Sequence, residues 1–96
     1  MARIAWSIEA LSDIERLDAF LRPKSPQAAE RAILAIMDAI AGLADFPAIG
    51  RPAETIGPEY RELVVPFGAS DYLVLYRYDG SDVVILAARH FREAGS

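Results

Sequence analysis

The chain has 96 residues, 53% of them hydrophobic, and a formal net charge of −4, which points to one packed domain rather than a disordered chain. The acidic balance argues against strong nonspecific binding to DNA or RNA, though not against a local basic site. There is no cysteine, so disulfides and cysteine-based zinc sites are excluded and a reducing cytoplasm is compatible.

The N-terminus, Met1-Ala2-Arg3-Ile4-Ala5-Trp6, lacks a basic region followed by a long apolar run, so no signal peptide is expected. No stretch approaches ~18 uncharged apolar residues, so no membrane span is expected. Arg3 to Trp6 reads as a short strand. Ser7 is the N-cap of a helix over 8–21, with Glu9 in the first turn, where the helix dipole favours negative charge. Leu11, Ile14, Leu17 and Leu21 form its apolar stripe, Glu9, Asp13, Glu15, Arg16 and Arg22 its wetter side, and Pro23 ends it.

Ser25-Pro26 opens a second helix, Ser25 as cap and Pro26 at the first helical position. Ala29, Ile33, Ile36, Met37, Ile40 and Leu43 form one stripe, Gly42 weakens the last turn and Phe46-Pro47 stops it. The short Pro-Lys-Ser connection makes the two helices an antiparallel hairpin. Residues 45–58 read as a loop rich in proline and glycine. Strands follow at Tyr60 to Val65, Tyr72 to Tyr78 and Asp82 to Arg89, with Asp79-Gly80 as the turn signal between the last two. Residues 93–96 read as a frayed end.

The order is β-α-α-β-β-β. A helix hairpin must bury its stripe, and the sheet is the partner on offer. The expected fold is therefore α+β and two-layered: a single domain over 1–96 with the hairpin packed on a small, mainly antiparallel, twisted sheet.

This order, with particular residues, resembles the RelE/ParE superfamily of toxins from type II toxin–antitoxin systems, the plasmid stabilisation family. The fragments are Ile4-Ala5-Trp6-Ser7 with Ala10 and Asp13-Ile14, then Ser25-Pro26 with Ala28-Ala29, then Leu43, Phe46-Pro47 and Gly50-Arg51-Pro52. Tyr60-Arg61-Glu62-Leu63, Tyr72 to Arg77, Val84-Ile85-Leu86 and Arg89-His90 complete them. Each is weak alone; their joint order and spacing carry the resemblance. It implies a growth inhibitor masked by a cognate antitoxin in a hetero-oligomer. One branch, RelE-like, cuts mRNA in the ribosome without metal; another, ParE-like, inhibits DNA gyrase.

Metal-free RNA cleavage needs a base, an acid for the leaving oxygen and cationic donors for the charge building on phosphate. His90 fits as base or acid, and Arg61, Arg77, Arg89 and Arg92 fit as donors. Against this, the superfamily's nucleases often rely on a C-terminal tyrosine, or on a histidine beside one, and here the neighbour is Phe91, which transfers no proton. Ribosome-directed members also tend to be strongly basic. The ParE-like reading is therefore preferred: a gyrase-binding toxin without enzymatic activity. The alternatives are an mRNA endoribonuclease and a non-toxic binding relative. All of them predict an exposed apolar groove that the antitoxin covers, and a gathering of Arg61, Arg77 and Arg89 at one edge of the sheet.

The same residues also have structural readings. A two-residue Asp79-Gly80 turn sets Tyr78 against Ser81 and Arg77 against Asp82, an ion pair across the strands. Arg61 shares a strand face with Leu63 and Val65, so its stem can pack there. His90 stands alone at a strand end, where a structural histidine is commonplace. Arg51 fits as a loop positioner bonding backbone carbonyls, and Trp6 as packing between strand and helix. One histidine and no cysteine supply no zinc set, and Gly50, Gly57 and Gly68 lack the spacing of a phosphate loop, so no metal or other cofactor is expected.

Overall fold

Two serines start the helical layer. The Ser7 hydroxyl accepts from the Ala10 N–H at 3.0 Å, and the Ser25 hydroxyl from the Ala28 N–H at 3.2 Å. Each satisfies a donor that the first turn leaves without a partner. The computed structural model describes residues 1–91; Arg92 and the frayed end expected at 93–96 lie outside the described residues. The elements are β1 (Arg3–Trp6), α1 (Ile8–Leu21), α2 (Pro26–Ala41), a 3-10 turn (Gly42–Ala44), β2 (Arg51–Pro52), β3 (Tyr60–Phe67), β4 (Ser70–Tyr78) and β5 (Asp82–His90). No helix among the described residues is long and apolar enough to cross a membrane.

The sheet has five strands in the order β1-β5-β4-β3-β2. β1 runs parallel to β5, and the other neighbours are antiparallel. The fold is therefore the expected α+β two-layer domain, with one addition: β2 lies inside the stretch read as loop. β3 and β4 also run longer than their apolar alternation suggested. They meet at Phe67↔Ser70, and Gly68 supplies the positive φ of 58° that this tight connection needs.

The β4–β5 turn differs from the expected pairing. Tyr78 lies opposite Val83 and Arg77 opposite Val84. The cause is the Asp79 carboxylate, whose Oδ1 accepts from the N–H groups of Ser81 at 2.9 Å and Asp82 at 2.8 Å, with Gly80 at φ 95°. This side-chain turn takes up more chain than a two-residue hairpin. Those two N–H groups hold the Asp79 carboxyl below its usual range. Asp82 is left to pair with Arg3 of β1, at 3.5 Å.

The core lies between the layers. Ala10 and Leu17 of α1, Ala32, Ile36 and Ile40 of α2, and Leu43 meet Val65, Tyr72, Val74, Tyr76, Val83, Ile85 and Ala88 of the sheet. Leu11 and Met37, assigned to the stripes by spacing, are 50% and 41% exposed. Alanines take buried places beside the larger residues: Ala10, Ala29 and Ala32 are fully buried. Small side chains let the helix backbones sit near their neighbours, so the buried stripe runs through Ala10 and Leu17 on α1 and through Ala29, Ala32, Ile36 and Ile40 on α2, with Leu11 and Met37 at its margin. Trp6 packs half-buried against this core, as expected.

One irregularity sets the faces of β5. Tyr76 pairs with Ile85 but Leu75 with Ala87, so Leu86 is an extra residue, a bulge. Before it, Val83 and Ile85 face the helices; after it, Ala88 and His90 do. Strict alternation would have put Ala87 and Arg89 there instead. The bulge is held from the α1 side. The Ser7 N–H donates to Ile85 O at 2.9 Å, the Ser7 hydroxyl to Leu86 O at 3.3 Å, and the Ala88 N–H to Asp13 Oδ2 at 3.0 Å.

Candidate functional site

Arg61 faces the helix layer with Leu63 and Val65, and its cross-strand neighbour there is Tyr76. Its guanidinium is committed to the backbone: Nη1 donates to Gly50 O at 2.8 Å and Ala48 O at 3.2 Å. Beside it the fully buried Tyr76 donates through its hydroxyl to Pro47 O at 2.7 Å and accepts the Gly50 N–H at 2.9 Å. Burial pushes the Tyr76 phenol up, against the opposing pull of the Gly50 N–H and Arg61. The two side chains thus tie the 47–50 backbone to the core. Arg51 was expected to bond the loop carbonyls, and it does not do so among the described residues. It lies opposite Glu62 and pairs with that carboxylate through Nε at 3.0 Å and Nη2 at 2.7 Å. The positioning role passes to Arg61 because Arg61 points under the loop while Arg51 and Glu62 point to the other face.

Arg77 and Arg89 also point to the face away from the helices, next to Val84 and Leu73 respectively. Their partners Tyr60 and Leu73 place them at opposite ends of the sheet. Four residues of β4 separate them, about 13 Å at the rise of a strand. His90 is on the helix side, its ring edge-on to buried Tyr72 at a centroid distance of 5.3 Å. Phe67 completes the row, 6.0 Å from Tyr72. The expected gathering of Arg61, Arg77 and Arg89 at one edge is therefore absent: Arg61 lies on one face, Arg77 and Arg89 on the other, and His90 faces away from Arg89. Arg92 lies outside the described residues. Among the described residues no three His, Asp or Glu side chains converge as a metal set would require.

Two features escaped the sequence reading. Tyr76 was one of four tyrosines with nothing local to mark it, since its acceptor lies 29 residues away. Helical spacing alone puts Asp13 on the wetter side of α1, yet its carboxylate covers the Ala88 N–H. Its place in the fragment Ala10…Asp13-Ile14, on the same helix side as buried Ala10 and Leu17, was the available signal. Leu34 and Met37, one turn apart on α2, and Leu11 and Phe20 on α1 are all exposed, the apolar surface of the helix layer on which the expected groove would have to be built.

The chain matches the family model described as ParE toxin of type II toxin-antitoxin system, parDE, over residues 4–95. It is similar to Toxin RelE1 of Caulobacter vibrioides, 36% identical over 84 residues, which cover 88% of this chain and 87% of the relative. It is similar to Toxin RelE3 of the same organism, 37% identical over 93 residues, covering 97% of this chain and 98% of the relative. Its fold is that of a solved chain described as a chromosomal ParDE TA system from P. aeruginosa. That match has a TM-score of 0.73 and 22% identity, and covers 94% of this chain and 96% of the other.

Proposed function

The chain belongs to the ParE toxin family of type II toxin–antitoxin systems, and from that premise we propose that it arrests growth by binding DNA gyrase in the cytoplasm, without chemistry of its own. Membership of the family implies a cognate antitoxin as partner. The exposed Leu34 and Met37 on α2 offer that antitoxin an apolar anchor while the complex is intact.

The observation that supports a binding toxin over a nuclease is the dispersal of the arginines and His90. A phosphate in flight needs its acid, base and cations around one point. Here Arg61 is spent on the loop, Arg77 and Arg89 lie well apart on one face, and His90 packs on the other. A supercoiling assay with purified toxin tests the reading: inhibition is expected, and unaffected supercoiling at high excess overturns it.

The second reading, a ribosome-dependent and metal-independent mRNA endoribonuclease, draws on one contact. Tyr72 stands beside His90 in space, supplying the tyrosine neighbour that Phe91 does not. Codon-positioned cuts in a translation extract, abolished in His90→Ala, would favour it. Growth left unchanged on expression without the antitoxin would favour the third, a non-toxic binding relative.

A further inference from the structure

We draw no further inference here: the strongest candidate, the hollow of about 370 Å³ between the start of α1 and the end of β5, lined by Ile8, Glu9, Ser12, Asp13 and Arg89 among others, carries nothing, because the Asp13 carboxylate is already used on the Ala88 N–H and nothing in the structure shows what covers the hollow.

Discussion

Gly50 occupies a position that no other residue fits. A Cβ there would lie 2.6 Å from the Tyr76 hydroxyl, 2.8 Å from its ring and 3.0 Å from Glu62 O. The ring is locked in the core and the carbonyl belongs to a strand, so neither can yield. Gly50→Ala is expected to cost about 1–3 kcal/mol, read as a lowered midpoint in denaturant. Tyr76→Phe removes the partner of the Gly50 N–H and of Pro47 O together, again for about 1–3 kcal/mol. That loss has a pH signature. The folded-state phenol is raised above its ordinary value of 10.0, so folding favours the neutral form. Its contribution is fully present below pH 10 and is lost as pH rises through the folded-state value. The stability gap between wild type and Tyr76→Phe should narrow above about pH 10; a gap that widens with pH would contradict this account.

At the scale of elements, β5 outruns its neighbour. β1 ends where Trp6 meets Ile85, while β5 continues to His90. An open strand edge invites pairing with another chain, and α1 answers with Asp13, whose carboxylate occupies the N–H of buried Ala88. Asp13→Ala should destabilise by about 1–3 kcal/mol, and Asp13→Asn, which keeps an acceptor, should recover most of it. An equal loss in both would mean that charge, rather than the hydrogen bond, carries the effect. The cap of α2 is simpler: Ser25→Ala should cost about 1 kcal/mol and Ser25→Asp little. Chemical denaturation checks both series.

For the whole molecule, the sheet's two faces divide the arginines by task. Arg61 supports the loop from within, and Arg51 pairs across β2 and β3. Arg89 is exposed on the open face. Arg89→Ala should therefore stay within about 0.5 kcal/mol of wild type in stability, whereas Arg61→Ala should lose about 1–3 kcal/mol because it leaves the Gly50 carbonyl without its partner. Toxicity lost in Arg89→Ala at unchanged stability would mark the open face as a working surface. Toxicity lost in Arg61→Ala says nothing of the kind, because that substitution also releases the loop backbone at Ala48 and Gly50.

Much of this protein was legible in its residues. Ser7 and Ser25 announce their helices, Pro26 fits the start of the second, and apolar spacing marks both layers, because these signals act within a turn or two of chain. The family resemblance rests on the same local fragments. Three decisions waited for the tertiary structure. The bulge at Leu86 sends Arg89 and His90 to the faces opposite those that alternation predicts. The Asp79 turn moves Asp82 from Arg77 to Arg3, and Tyr76 and Arg61 clamp a loop that Arg51 was expected to hold. Period-two alternation carries no record of where the count will slip. The slip is held in place by Ser7 and Asp13, which lie 79 and 75 residues from the groups they bind, and only the folded chain brings them there.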